Sequence, residues 1–156
     1  MKIKVNRKDL LTNDDIWNAV LTAYGEYHFP TENDVVNEVF IVFSYFCELE
    51  SGGHESLLNW LSWHIEDVGI TSYLNNLTGI LEKIDAHDYA DIEKKYGEEL
   101  WRLFKALENQ EIAEDDFYNV IEKADKEYIK LNEKLGELLQ SYSVSIYTEL
   151  IEVIED

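Results

Sequence analysis

Apolar residues recur at helical spacing along most of this 156-residue chain. Ile16, Val20 and Tyr24 follow one another at every fourth position, and the pattern returns between Leu57 and Ile65. Such spacing places each set on one face of an α-helix. One proline and seven glycines leave little material for the turns of a many-stranded fold. The pattern therefore predicts an all-α, compact single-domain bundle of about eight helices over residues 1–156.

Two segments have the sequence of a helix N-terminus. Thr12-Asn-Asp-Asp15 places a hydroxyl at the N-cap and an acid three residues later, and Thr31-Glu-Asn-Asp34 repeats the arrangement. The first predicts a helix that ends near Gly25. Residues 1–8, which are basic and precede both, are a candidate flexible N-terminus.

The most apolar run extends from Val35 to Leu49. Its apolar residues follow helical spacing, with further apolar side chains on the remaining sides. A helix that is apolar nearly all round is a central, buried one. The competing interpretation is a buried strand at Val39–Phe46; the cap before the run and the glycine after it favour the helix.

Gly52 and Gly53 separate this run from the helical pattern that carries Trp60 and Trp63. Glycine adopts positive φ without a Cβ clash, as a helix C-terminus commonly requires. The pair predicts a tight corner between two helices at the centre of the fold.

The second half of the chain predicts further helices. Gly97 is a candidate kink in one that begins near Asp88. A short helix is expected at Phe117–Ala124, a longer one from Tyr128 to Leu139, a turn at 142–145, and a last helix from Ile146 to Ile154.

The net charge of −20 is unevenly distributed. Residues 1–8 carry four basic side chains and no acid, whereas residues 9–82 carry 13 acids and neither lysine nor arginine. Solubility and the preference of acids for first helical turns explain part of this excess. They do not explain 74 consecutive residues without a lysine or arginine. Spacings of three and four residues also predict a carboxylate line along a last helix, through Glu149, Glu152 and Asp156.

The sequence shows few signs of catalytic or metal chemistry. No metal-binding spacing, nucleophile elbow, phosphate loop or dinucleotide fingerprint occurs, so no catalytic residue, metal ligand or cofactor is expected. The Val35–Leu49 run is too short and too polar to span a bilayer. The single cysteine, Cys47, fits a reducing cytoplasm.

His54 and the four tryptophans each have a structural and a functional interpretation. His54 is expected to cap or pack the corner, with a role at a binding surface as the alternative. Core packing is the default for the tryptophans, although Trp60 and Trp63 need not both be buried.

The corner also resembles the signature of a family of small acidic bacterial proteins, long catalogued as a domain of unknown function, whose best-described member is a DNA mimic. The family pattern is an acid, Gly-Gly, an aromatic or His, a Gln, aromatics and an Asn. The matching residues are Glu48, Gly52, Gly53, His54 and Asn59. Ser56 replaces the Gln, Leu57-Leu58 replace aromatics, and Asp85 replaces a glycine in a second similar segment, Leu81–Ile92.

The resemblance implies a non-enzymatic protein that occupies the DNA-binding site of a transcription factor or nucleoid protein, with a homodimer as a candidate state. It implies no direct contact with nucleic acid or membrane. The charge independently predicts a basic partner. The candidate contacts are Asp14, Asp15, Glu26, Glu32, Asp34, Glu38, Glu48, Glu50, Glu55, Glu66 and Asp67. The alternatives are an immunity-type protein that neutralises a basic toxin or nuclease, and a metabolic enzyme.

Overall fold

The two ends of the chain lie side by side in the computed structural model, which describes residues 2–155. Strand β1 (Ile3–Asn6) pairs in parallel with strand β2 (Ile151–Ile154), with Ile3 opposite Ile151. A 3₁₀ turn at Arg7–Asp9 follows β1, and Arg7 forms an ion pair with Glu155 at 2.7 Å. Residues 3–9, for which the sequence offered a flexible basic N-terminus as a candidate, form this strand and the 3₁₀ turn.

Six α-helices lie between the strands: α1 (Asn13–Glu26), α2 (Asp34–Val68), α3 (Ile70–Lys83), α4 (His87–Glu108), α5 (Glu114–Ile129) and α6 (Lys134–Leu150). The all-α single domain predicted from the sequence is confirmed. The predicted count of eight helices was too high.

The helix starts agree closely with the sequence. The Thr12 hydroxyl accepts a hydrogen bond from the Asp15 N–H, and the Asp15 carboxylate accepts one from the Thr12 N–H, both at 3.1 Å. At α2 the capping side chain is Asn33, which accepts hydrogen bonds from the Val35 and Val36 N–H groups. The Thr31 hydroxyl instead donates a hydrogen bond to the side-chain oxygen of Asn37. The predicted start was correct, but its capping residue was not.

Helix α2 is the central element, and the alternative of a strand at Val39–Phe46 is excluded. Val42, Phe43 and Tyr45 are completely buried within it. Helix α2 packs on α3, α5 and α6, and α1 packs mainly on α6.

The corner predicted at the two glycines divides α2 into two arms. Gly52 has φ −153° and ψ 16°, and Gly53 has φ 72° and ψ −160°. The first arm is Asp34–Ser51 and the second arm is His54–Val68. These two non-helical residues redirect the helix without an intervening loop.

The C-terminal boundaries differ most from prediction. Helix α5 continues through Tyr128, α6 continues through residues 142–145, and the chain is extended from Ile151. Ser143 is tolerated inside α6 because its hydroxyl donates to the Leu139 carbonyl at 2.8 Å. Since Ile151–Ile154 is a strand, Glu149 and Glu152 do not continue one helical carboxylate line, and Asp156 lies outside the described residues.

Gly97 does not kink α4, which is continuous from His87 to Glu108. A Cβ at Gly97 would lie 2.6 Å from Leu74 Cδ2 of α3. This glycine therefore allows α3 and α4 to approach closely.

We predict that Gly53→Ala destabilises the fold more than Gly52→Ala. Gly53 has a positive φ, and a Cβ there would lie 2.5 Å from the Asp125 carboxylate. A Cβ at Gly52 would meet only the Ser56 side chain, with Ser56 Cβ at 2.9 Å. The expected loss for Gly53→Ala is at least ~2 kcal/mol in the free energy of unfolding, measured by urea denaturation. Equal midpoints for both variants and the parent would contradict this assignment.

Candidate functional site

An acidic groove lies between α1, the end of the first arm of α2, and the start of α6. Its volume is about 400 Å³, and it is open to solvent. Four carboxylates line it, from Asp14, Glu50, Glu133 and Glu137. Within residues 2–155, no lysine or arginine lines this groove.

Aromatic rings form the apolar part of the groove. Trp17 of α1 and Phe46 of α2 line it, with their ring centroids 6.1 Å apart and nearly perpendicular. Trp17 also packs on the buried Phe43 at 5.6 Å. Trp17 is therefore half-buried, in agreement with the predicted packing role, and it presents an edge to the groove.

Each carboxylate is positioned by a helix terminus. Asp14 is in the first turn of α1, Glu50 precedes the corner, and Glu137 is in the first turn of α6. Glu133 and its neighbour Asn132 both have left-handed backbones, with φ of 61° and 54°. Two consecutive left-handed residues other than glycine are uncommon and costly, so the turn before α6 is held in shape by its surroundings.

Neutral donors from the protein engage two of the groove carboxylates. Gln140 Nε2 donates to Asp14 Oδ1 at 2.5 Å, and the Tyr128 hydroxyl donates to Glu50 Oε2 at 3.1 Å. These contacts orient the carboxylates without neutralising them. Burial, and then the Glu50 charge, raise the pKa of Tyr128, so this hydroxyl keeps its proton and remains a donor.

Of the eleven acids proposed from the sequence, Asp14 and Glu50 come together in the groove. Several others have structural partners: Asp15 in the α1 cap, Glu38 with Lys83 at 2.7 Å, Glu48 with Ser56 at 2.5 Å, and Glu66 with Lys105. Glu55 is half-buried beside Tyr118. The sequence interpretation missed Glu133 and Glu137, because its candidates were all taken from residues 9–82, which contain no lysine or arginine.

The remaining candidates are on the surface. They are Glu26, Glu32, Asp34 and Asp67, all exposed and with no salt bridge in the described part of the chain. Asn59, a residue of the resemblance motif, is also exposed. The acidic surface therefore extends beyond the groove along the α1–α2 connection and the second arm.

Behind the groove, the corner is held by a buried charge network. His54 is 1% exposed, and its Nε2 is 2.8 Å from Glu93 Oε2 of α4, while its Nδ1 is 2.6 Å from Asp125 Oδ1 of α5. The same Asp125 oxygen accepts the His54 backbone N–H at 2.9 Å, and Tyr45 donates its hydroxyl to Glu93 at 2.7 Å. His54 thus joins α2, α4 and α5, as the predicted structural role at the corner required.

Both ring nitrogens of His54 face a carboxylate oxygen, and an imidazolium donates a hydrogen bond from each nitrogen. Burial alone would lower the pKa of His54, but the charges and hydrogen bonds of the two carboxylates outweigh it and raise the pKa from 6.5 to about 10. The geometry and the raised pKa both favour the protonated imidazole at this buried position.

A second cleft, of about 540 Å³, lies between the first arm of α2 and α3. The buried His64 lines it, together with Asp34, Asn75 and the Glu38–Lys83 ion pair. Burial lowers the pKa of His64, which favours the neutral imidazole, and its Nε2 has no hydrogen-bond partner among residues 2–155. The cleft contains a lysine that offsets one of its two acids, which makes it less acidic than the groove.

Two further features are absent from residues 2–155. No group of three or more His, Cys, Asp and Glu side chains is arranged to hold a metal ion. None of the helices is long and apolar enough to cross a membrane.

Comparisons with protein-family models, with curated proteins and with solved structures found no match to this chain. The resemblance of the corner to the DNA-mimic family accordingly stays a prediction.

We predict that stability falls as pH rises from 6.5 towards 10. The folded-state pKa of His54 is above its usual value, so its stabilising effect is complete below pH 6.5 and is lost as pH approaches 10. One proton changes the free energy of unfolding by at most about 1.4 kcal/mol per pH unit. Urea unfolding at pH 7, 8 and 9 measures this slope.

The matched variants are Glu93→Gln, which removes a partner of His54, and His87→Gln, which changes an exposed histidine. Glu93→Gln should lower stability by about 3–5 kcal/mol and flatten the pH slope, whereas His87→Gln should change neither. A slope that persists unchanged in Glu93→Gln would show that His54 is not its source. If that variant does not fold, the imidazole NMR signals of the parent at pH 8 report the same protonation directly.

Proposed function

We propose that this protein is a non-enzymatic acidic binding protein that acts as a DNA mimic in the cytoplasm. It occupies the DNA-binding site of a transcription factor or another basic nucleic-acid-binding protein, and it contacts neither nucleic acid nor membrane directly. The observation that carries the proposal is the groove of four carboxylates without a lysine or arginine. The resemblance at the corner supports the class of the partner.

The groove concentrates charge where a basic side chain is best attracted. Carboxylates on the walls of a concave, partly apolar site focus the electric field and raise the local concentration of cations. Trp17 and Phe46 add an apolar wall beside those charges. An inserted lysine or arginine would meet several carboxylates and place its aliphatic part on the rings.

Exposed acids outside the groove add to this attraction. Glu26, Glu32, Asp34 and Asp67 add exposed charges from the segment that has no lysine or arginine. DNA similarly offers a dense row of fixed negative charges, and proteins that bind it gain affinity through their lysines and arginines. A partner built for DNA therefore has the complementary surface.

The structure also makes the charges rigid. Glu50 and Phe46 lie in a helix that His54 anchors to Glu93 and Asp125 at the corner, and Glu133 lies in a tight left-handed turn. Groups that are already in place lose less conformational entropy on binding. Rigidity is what distinguishes a mimic of a stiff duplex from a flexible acidic tail.

We predict that binding weakens steeply with salt and that duplex DNA competes for the same partner surface. The Debye length falls from about 10 Å at 0.1 M to about 3 Å at 1 M, so partners captured from native cell extract should elute with salt. A captured partner, its labelled DNA and this protein are then mixed, and DNA release is followed by fluorescence anisotropy. A ternary complex of all three would contradict the mimic.

A pair of matched variants tests the groove itself. Glu133→Gln/Glu137→Gln removes two groove charges, and Glu98→Gln/Glu99→Gln removes two exposed charges from α4. The groove variant should bind the partner at least about fivefold more weakly, mainly through slower association, with an unchanged circular-dichroism spectrum. The α4 variant should differ much less. Equal losses would assign binding to total charge rather than to the groove.

A captured toxin or nuclease that is inhibited without DNA competition would establish the immunity-type alternative instead.

A further inference from the structure

Trp60 and Trp63 are exposed, contrary to the default expectation of core packing. Their exposed fractions are 68% and 52%, although tryptophan has one of the largest apolar surfaces of any side chain. They are three residues apart on the second arm, so they lie one turn apart on the same side of the helix. Two adjacent exposed tryptophans form an apolar patch of the kind that marks interaction sites.

Trp63 is held in position by other aromatic side chains. Phe29 and Phe40 stack on each other with centroids 3.9 Å apart, and both meet the Trp63 ring edge-on at 6.3 Å. The buried His64 lies beside them, 5.5 Å from Trp63. The indole therefore presents a fixed surface to solvent and requires little reordering when a partner binds.

The charges around the patch are negative. The second arm contains Glu55, Glu66 and Asp67 and neither lysine nor arginine, and Glu66 pairs with Lys105 of α4. Asp67 follows Trp63 by four residues and so continues the side that carries both indoles. An apolar patch beside the exposed Asp67 carboxylate, which has no salt bridge in the described residues, matches a partner that is both apolar and basic.

These observations favour one kind of occupant. A second copy of the chain would bring equal acidic surfaces together on a protein with net charge −20, and like charges oppose such an approach. An arginine side chain satisfies both features, since its guanidinium stacks on an indole while pairing with a carboxylate. The patch therefore fits an arginine-bearing surface.

We propose that Trp60 and Trp63 are the aromatic anchors for arginine side chains of the basic partner. This inference rests on the proposed function and adds to it a contact that does not depend on groove charge alone. Stacking on an indole is short-ranged, so salt weakens it less than it weakens the attraction of the carboxylates. The patch thus supplies affinity that persists at salt concentrations where the long-range attraction is screened.

The experiment uses fluorescently labelled deca-arginine and deca-lysine as probes, with affinities measured by anisotropy between 50 and 500 mM salt. The variants are Trp60→Ala/Trp63→Ala and a matched control, Ile129→Ala, which changes an apolar residue that is equally exposed (69%) but lies at the end of α5. The double variant should bind deca-arginine roughly tenfold more weakly at every salt concentration and should lose less affinity for deca-lysine. Ile129→Ala should bind both probes as the parent does.

Each outcome decides a different point. If the double variant binds deca-arginine as the parent does, the tryptophans are not anchors, although the proposed function stands. If the parent binds neither probe at 50 mM salt, the proposed function fails as well. If the parent sediments as a dimer and the double variant as a monomer, the patch is occupied by a second copy and the inference is overturned. Circular dichroism confirms that each variant is folded before it is compared.

Discussion

The pairing of His54 with Glu93 and Asp125 is the interaction on which the rest of the structure depends. It takes an imidazolium and a carboxylate almost completely out of water, with exposed fractions of 1% and 2%. Such a transfer is unfavourable unless every polar atom is matched. The Tyr45 hydroxyl donates a further hydrogen bond to Glu93, and the His54 backbone N–H donates one to Asp125. Because Gly53 has no Cβ, Asp125 can reach that N–H at the point where the helix turns.

The corner matters because it sets the directions of two surfaces. The first arm carries Phe46 and Glu50 into the acidic groove, and the second arm carries Trp60 and Trp63 into solvent. A net charge of −20 favours expansion of the chain through self-repulsion. The core opposes this, with α2 packed against α3, α5 and α6 and with the chain ends joined in the β1–β2 ribbon. Charges that repel one another can keep a fixed arrangement only on a body of this rigidity.

Features formed by neighbouring residues were predictable from the sequence, whereas contacts between distant residues were not. The Thr12–Asp15 cap and the Gly52–Gly53 corner involve neighbouring residues, so a short stretch of sequence is enough to predict them. The partners of His54 are 39 and 71 residues away, and no periodicity points to them. The sequence predicts a helix through Ile151–Ile154, but this segment is strand β2, because it pairs with the opposite end of the chain. Glu133 and Glu137 were overlooked for a similar reason, since only folding brings them to Asp14 and Glu50.

In the proposed function, the two surfaces supply different parts of recognition. Carboxylates attract any basic protein over about 10 Å at 0.1 M salt, which speeds encounter but discriminates poorly between partners. Discrimination requires contacts that a wrong partner cannot make. In the proposed complex, the groove would select for side chains long enough to reach between α1 and α6, and the Trp60–Trp63 patch would select for cations that stack on an indole. A DNA mimic of this kind would need both properties, because a cell contains many basic surfaces and charge alone does not distinguish them.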